Sequence, residues 1–281
     1  MEKTNNKMPI YKIARPVLGF IYKLWYNPKI YGKENIPTDG PIILVGNHIH
    51  IMDQCNVIIA TKRNIHYMAK KEYFDPQYKE GKFPWFFRGA GCIPVDRSKK
   101  DTEATDSALE VLREGHALGL FPEGTRNALK ESKAKELYEK YVIDTMSFEE
   151  FYKKAKKNKT SFVDYLEELK DKKIITKDEF LDNICDADAF LQDLILNHRI
   201  TKEEYYNHVL LPFKCGAVSM AHKTDSYLVP YAITGHYKFR SKDLIINIGE
   251  PFQVEEDLEK SLQRLDYEIK ELSKQNEEKW R

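Results

Sequence analysis

The sequence predicts an α/β protein, a mixed sheet flanked by helices and interrupted by an inserted all-helical segment. Three observations carry this. Short apolar runs rich in β-branched residues (Ile42–Val45, Ile65–Ala69, Ile93–Val95, Ala117–Phe121, Tyr227–Gly235 and Leu244–Ile248) alternate with segments of helical periodicity. Several runs end in turns that offer charged groups, as at Asp96-Arg97 and Glu123-Gly124-Thr125-Arg126. Residues 130–211 contain no glycine and no proline, unlike the sequence on either side. The 281 residues, 42% hydrophobic and 32% charged, suffice for a substantial core. A net charge of +1 gives no global basic field, so nucleic acid is not an expected partner. The four cysteines are scattered without CxxC spacing and read as reduced thiols on the cytosolic side, with no metal site. No uncharged apolar run reaches the roughly 18 residues that span a bilayer, and no cleavable signal sequence is evident.

In the opening segment, residues 1–33, there are seven basic residues from Lys3 to Lys33 and no acidic one over that interval. Ile10, Ile13, Ala14, Val17, Leu18, Ile21, Leu24 and Trp25 recur there at helical spacing, with aromatic rings at Tyr11, Phe20, Tyr22 and Tyr26. This predicts an amphipathic helix, divided or kinked at Pro16, lying on an anionic membrane surface. A turn at Asp39-Gly40 leads into the strand Ile42–Val45. Gly46-Asn47 break that run before a helix over Cys55–Ala60. The run Ile65–Ala69 is a second strand, and Lys70-Lys71 after it read as a solvated pair. Gly89–Cys92 is a turn into the short strand Ile93–Val95. Thr102–Glu114 is a helix with Ala108, Val111 and Leu112 inward and Gly115 as its stop. Ala117–Phe121 is a buried strand. After the insertion, a helix runs to about His222. The strand around Pro230 is expected to be bulged or at an edge, because proline donates no ladder bond. Leu258, Leu262, Leu265, Ile269 and Leu272 mark a terminal amphipathic helix.

The insertion, 130–211, holds fifteen basic and eighteen acidic residues. It repeats itself weakly: Leu169…Ile175-Thr176-Lys177-Asp178-Glu179-Phe180 recurs 25 residues later as Leu194…Ile200-Thr201-Lys202-Glu203-Glu204-Tyr205. Each Thr has a Glu three residues on, the signature of a capping box, so several short helices are expected. The domain organisation follows: the membrane-interface helix 1–33, a main domain from 34–129 and 212–281, and the helical insertion 130–211.

His48 and Asp53 are the first chemical candidates. On one continuous helix, residues five apart point about 140° away from each other. With His48 in the turn and Asp53 in the first helical turn beyond, the carboxylate can fold back to the imidazole. Asp53 would then hold one ring nitrogen and leave the other to take a proton. Spacing alone leaves the pair equally open to a purely structural hydrogen bond. The other seven histidines have no motif around them and read as surface or core. There is no G-x-S-x-G nucleophile elbow.

Four blocks stand in one order: Asn47-His48-x-x-x-x-Asp53, Gly91-x-Ile93-x-Val95-Asp96-Arg97, Phe121-Pro122-Glu123-Gly124-Thr125-Arg126 and Leu228-Val229-Pro230. In that order they resemble the glycerolipid acyltransferase family, most closely its 1-acylglycerol-3-phosphate acyltransferases, over roughly residues 10–129 and 212–255. The resemblance implies transfer of an acyl group from a thioester donor, acyl-CoA or acyl carrier protein, to the hydroxyl of a lysophospholipid acceptor, giving phosphatidate. It needs no bound cofactor, metal or thiol nucleophile, so Cys92 within the second block is not a candidate. His48 would be the general base, oriented by Asp53. Arg97 and Arg126 would hold the acceptor phosphate, with Asp96 either in the site or only holding Arg97. Glu123 and Thr125 would shape that pocket, and Gly91 and Gly124 would let backbone approach it. Pro230 would be structural. Such an enzyme would work at the cytoplasmic face of a membrane. Glycerol-3-phosphate or another lysolipid is the alternative acceptor, and a membrane-docked non-catalytic scaffold the alternative of another class. The departure from the family is the insertion: about 85 residues separate Arg126 from Phe213 where relatives have a short loop. Because it leaves at the edge of the third block, it is expected beside the acceptor pocket, as a lid or a carrier-docking surface.

Overall fold

The computed structural model describes residues 8–78, 83–98, 101–124, 129–158 and 162–280. The chain forms two compact units, one of Met1–Gly124 with Pro212–Arg281 and one of Thr125–Leu211. The division therefore falls after Gly124 and not at 129/130, and the N-terminal helix belongs to the first unit.

In chain order the first unit runs α1 (Pro9–Tyr26), β1 (Lys29–Tyr31), β2 (Ile42–Gly46), α2 (Asp53–Ala60), β3 (Ile65–Lys70), α3 (Pro84–Gly89), β4 (Ile93–Val95), α4 (Thr102–Arg113) and β5 (Ala117–Leu120). The second unit follows with α5 (Glu131–Leu137), α6 (Phe148–Asn158), α7 (Val163–Asp171), α8 (Lys177–Asn183), α9 (Ala187–Leu196) and α10 (Lys202–Val209). The first unit is then completed by α11 (Gly216–Thr224), β6 (Tyr227–Thr234), β7 (Ile245–Ile248) and α12 (Leu258–Trp280).

The strands form one seven-stranded sheet in the order β1-β7-β6-β2-β5-β3-β4. Every neighbouring pair is parallel except β6 and β7. Strand β2 sits at the centre with all five residues buried. A parallel strand covered on both faces needs an unbroken apolar run, and Ile42-Ile43-Leu44-Val45 supplies one. On one face Leu44, Tyr67, Val229, Tyr231 and Ile246 pack with Val57 of α2. The pleat turns Ile43, Val45, Leu118 and Leu228 the other way, toward α4, α11 and α12. Helix α4 is set by its ends: the Asp101 side chain accepts from Ala104 N, and Gly115, at φ +79°, ends it with Gly115 N bonded to Leu112 O and His116 N to Val111 O.

Two glycines let rings lie across the central strands. A Cβ on Gly46 of β2 would stand 2.2 Å from the Tyr231 ring, and one on Gly119 of β5 would stand 2.3 Å from the Tyr67 ring. Any larger residue at either place would displace a buried tyrosine directly beneath the strand ends.

Strand β6 decides between the two expectations for Pro230: the ladder beside it is bulged, and the strand is not at an edge. Pro230 is neither at an edge nor unpaired on its β2 side: β6 lies between β2 and β7, with Pro230 opposite Val45. Its carbonyl accepts from Gly249 N just past the end of β7, and the next pairing beyond is Leu228 with Phe252. The partner strand uses one extra residue over that interval. The missing proline N–H thus falls where the β7 ladder is already stepping out of register, so it forfeits no regular bond.

Helix α1 runs unbroken through Pro16. It is pinned on both sides of the proline, by Tyr11 Oη donating to Ile65 O (2.6 Å) and Tyr22 Oη donating to Asn56 Oδ1 (2.8 Å). The Arg15 guanidinium adds bonds to the carbonyls of Lys62 and Arg63. These anchors replace the helical bond that the ring removes. The side turned to the protein is Tyr11, Gly19 and Tyr22, while Val17, Leu18, Phe20, Ile21, Leu24 and Trp25 are all more than half exposed. From Val17 onward the apolar side chains of the helix thus face outward. No helix among the described residues is long and apolar enough to cross a membrane.

The second unit has its own core of Leu137, Phe151, Leu166, Leu169, Phe180, Leu191 and Leu194, all almost fully buried. Both expected capping boxes form: Thr176 with Glu179 opens α8 and Thr201 with Glu204 opens α10. Each cap is worth about 1 kcal/mol, and Ile175 and Ile200, one residue before each Thr, are buried in that core.

Candidate active site

Parallel pairing puts the carboxyl ends of β2, β5, β3 and β4 along one edge of the sheet, where open α/β sheets bind ligands. His48 lies two residues beyond β2, and Glu123 three beyond β5. The β2/β5 register, Val45 opposite Leu120, brings these two loops side by side.

The turn after β2 is built from its ends inward. The Asn47 side chain donates to Ile233 O (2.8 Å) and accepts from Ile233 N (2.7 Å), clamping the turn to β6. Glu123 Oε1 accepts from His48 N at 2.9 Å, bracing it from the β5 side. Asp53 opens α2, and its carboxylate folds back as its spacing allows. Oδ2 meets His48 Nδ1 at 2.7 Å and accepts from Ile49 N (2.7 Å) and His50 N (2.8 Å). Tyr237 Oη donates to Oδ1 at 2.6 Å. With both oxygens occupied by donors, the carboxylate acts as acceptor and Nδ1 of His48 carries the hydrogen. The tautomer leaves Nε2 free to take a proton. Asp53 has a fully buried side chain while that of His48 is 19% exposed, its ring stacked on Phe121 at 4.0 Å. A buried, fully bonded carboxylate behind a partly accessible imidazole is the arrangement that an oriented general base requires.

The other expected residues separate. Glu123 is buried beside the base. Gly124 takes φ +70°, and the space a Cβ would fill there lies 2.8 Å from Lys214 Nζ. Lys214 is exposed, and its backbone N bonds to Pro122 O, so the chain returning at Pro212 delivers an ammonium to the loop after β5. Arg97 stands at the same edge three strands from β2, about 14 Å away at the usual strand spacing. It is exposed and pairs with no carboxylate among the described residues. Asp96 does not hold it: Asp96 Oδ2 binds Lys71 Nζ at 2.7 Å, and Oδ1 takes the Ser98 N–H and hydroxyl. The bond from Lys71, followed by those from Ser98, holds the Asp96 carboxyl well below the usual carboxylate range. Lys71 is thus an ion-pair partner and not a simple solvated lysine. Gly91 is corrected as well. It is buried at φ +65°, a Cβ there would meet Met8 Cε at 2.7 Å, and its carbonyl bonds to His66 Nδ1. Packing under the start of α1 by itself requires glycine there. Thr125 and Arg126 lie outside the described residues.

The two thiols nearest these loops, Cys55 and Cys92, are not poised for nucleophilic work. Burial pushes Cys55 up to about 11 and Cys92 up to about 12. Burial likewise lowers His66, in keeping with a core histidine. Among the described residues no three His, Cys, Asp or Glu side chains converge as a metal site. Sequence reasoning missed Tyr237 and Asn56, which support Asp53, and Phe121 as the surface under His48. Lys214, the residue after Phe213, was given no role.

Residues 27–234 match the family described as Acyltransferase. A 1-acyl-sn-glycerol-3-phosphate acyltransferase of Bacillus subtilis is 31% identical over 120 residues, 42% of this chain and 58% of that protein. A protein of the same name from Streptococcus pneumoniae is 31% identical over 115 residues, 40% of this chain and 42% of the relative. The matched stretch thus spans only about half the length of these curated relatives. The crystal structure of the 1-acyl-sn-glycerophosphate acyltransferase PlsC from Thermotoga maritima superposes with a TM-score of 0.51 at 17% identity, covering 96% of this chain and 83% of that one, a likeness of fold. The family match takes in the turn of His48, the loop of Glu123 and strands β2 to β6, and by it this chain belongs to the Acyltransferase family.

Proposed function

We propose that this protein transfers a fatty acyl group from a thioester, on coenzyme A or acyl carrier protein, to the free hydroxyl of 1-acylglycerol-3-phosphate, giving phosphatidate. The observation that carries the reading is the His48–Asp53 pair, with Nε2 free at the carboxyl edge of the sheet. His48 Nε2 removes the hydroxyl proton as the oxygen attacks the thioester carbonyl carbon. The C–O bond forms and, as the tetrahedral adduct collapses, the C–S bond breaks. The proton on His48 then passes to the leaving sulfur. Buried Asp53 stabilises the imidazolium in between. The acceptor phosphate calls for cations at this edge, and Lys214 next to Gly124, Arg97 farther along it and, on its sequence motif alone, Arg126 are the groups assigned to it. Each charge-assisted bond to phosphate is worth about 1.5–3 kcal/mol. The relatives named above as 1-acyl-sn-glycerol-3-phosphate acyltransferases support this choice of acceptor.

The test is an acceptor panel with the purified protein and both thioester donors. Turnover per KM is expected to be at least about tenfold higher for 1-acylglycerol-3-phosphate than for glycerol-3-phosphate or a lysolipid without a phosphomonoester, the margin of one missing contact. A preference for either competitor would reassign the acceptor. No transfer to any of them would favour a non-catalytic scaffold.

The same reading places the enzyme on a membrane through α1, whose outward side carries Phe20, Ile21, Leu24 and Trp25 beside Lys23. Phe20→Glu with Leu24→Glu is expected to reduce co-sedimentation with anionic phospholipid vesicles at least about tenfold, since burying such a side chain is worth roughly 1.5–3 kcal/mol. Unchanged sedimentation would move the anchor elsewhere.

A further inference from the structure

Behind Asp53 the hydrogen bonds continue in a defined direction. Tyr22 Oη, on α1, donates to Asn56 Oδ1 at 2.8 Å. That bond fixes the amide, so Asn56 Nδ2 is the group that faces Tyr237 Oη, donating at 2.6 Å. Tyr237 then has an accepting bond in place, and its own hydrogen goes to Asp53 Oδ1 at 2.6 Å. Asp53 Oδ2 receives His48 Nδ1–H. The donors Tyr22, Asn56 and Tyr237 are each set by the one before, and this series meets His48 Nδ1–H on the two oxygens of the Asp53 carboxylate, which accepts from both sides. Burial, with the charge of Asp53 next for Tyr237, raises both tyrosines far above their ordinary range, so each stays a donor. Tyr237 is locked on other sides too, its ring stacked on His50 at 4.2 Å and meeting Tyr26 edge-on at 5.5 Å. The loop that carries it is tied to the end of α1 by Arg240 N bonded to Trp25 O (2.6 Å) and by Phe239 against Trp25.

We propose that Tyr237 is a positioning residue for acyl transfer, holding Asp53 in the orientation that directs His48, and that Tyr22 sets the Tyr237 hydroxyl through Asn56. The N-terminal helix is thereby part of the general-base assembly as well as an outer surface. This rests on His48 being the general base. A carboxylate held from one side only by His48 and two backbone N–H groups can rotate about its last bond, and the donor from Tyr237 on the other oxygen removes that freedom. Because the ring environment of Tyr237 is kept when tyrosine becomes phenylalanine, the hydroxyl can be deleted without opening a cavity.

Two measurements on the full chain test it. In kinetics, Tyr237→Phe is expected to lower kcat about tenfold and Tyr22→Phe about threefold, with the KM of both substrates within roughly twofold of wild type. In an Asp53→Asn background the further effect of Tyr237→Phe is expected to shrink below roughly twofold, because a residue that acts through Asp53 has nothing left to orient. The same factor in both backgrounds would overturn the proposal, as would a wild-type kcat in Tyr237→Phe. In NMR, which needs no turnover, the low-field proton of His48 Nδ1 is expected to shift in Tyr237→Phe and in Tyr22→Phe but not in Tyr11→Phe, whose hydroxyl bonds instead to Ile65 O. An Nδ1 proton unmoved by Tyr237→Phe would overturn it independently of activity. If the wild type transfers no acyl group while that proton still responds, the reading of function fails and the positioning contact stands.

Discussion

Replacing His48 by alanine is expected to lower kcat for acyl transfer by about 10²–10⁴-fold, the usual share of a positioned general base. Stability should change by about 1 kcal/mol or less, because the His48 side chain is partly exposed and packs chiefly on Phe121. Its backbone N–H, which Glu123 accepts, is untouched by the change. The measurement is a kinetic comparison alongside a denaturant unfolding curve. Retention of most activity with a wild-type unfolding midpoint would remove His48 from the mechanism, since no second histidine takes its place on Asp53 Oδ2. His50 reaches that oxygen through its backbone N–H, with its ring turned to Tyr237.

The fold was largely legible because its determinants are local. The unbroken Ile42–Val45 run is what a central parallel strand demands, and it occupies the centre of the sheet. Thr176 with Glu179 and Thr201 with Glu204 close as capping boxes because both partners lie within one helical turn. The bend of Asp53 back to His48 was legible for the same reason, with five residues and a turn between them.

What escaped were partnerships set only by the assembled sheet. Tyr237 reaches Asp53 across 184 positions, and Lys71 takes Asp96 because β3 and β4 are neighbours, with Lys70 opposite Val95. Nothing at Asp96-Arg97 itself distinguishes a carboxylate that holds the next residue from one that holds a lysine two elements earlier. Gly91 carried the signature of a backbone approach, which is real, but the group that approaches is Met8. Pro230 read as a bulge or an edge, with nothing in the sequence to choose between them, because a missing N–H needs either an irregular ladder or solvent. In β6 the irregular junction with Gly249 and Phe252 satisfies the same need inside the sheet.

Asp53→Ala is expected to differ from His48→Ala in a way that separates orientation from structure. The carboxylate accepts from His48 Nδ1, Ile49 N, His50 N and Tyr237 Oη, and it is fully buried. Removing it strands donors with little access to water, each costing about 1–3 kcal/mol when left unpaired. It also takes an acidic side chain from the first turn of α2, where it offsets the positive end of the helix. The losses overlap, because one relaxed turn can re-pair some of these donors, so a total of about 3–5 kcal/mol is expected. Denaturant unfolding should show that loss as a lower midpoint with an unchanged slope. Activity of the fraction still folded should fall about as far as in His48→Ala, and the double variant should lose little more, since the pair works as one unit. An Asp53→Ala protein as stable as the wild type would mean that the turn after β2 is held by Asn47 and Glu123 alone. Losses that multiply in the double variant would mean that Asp53 does something for catalysis other than direct His48.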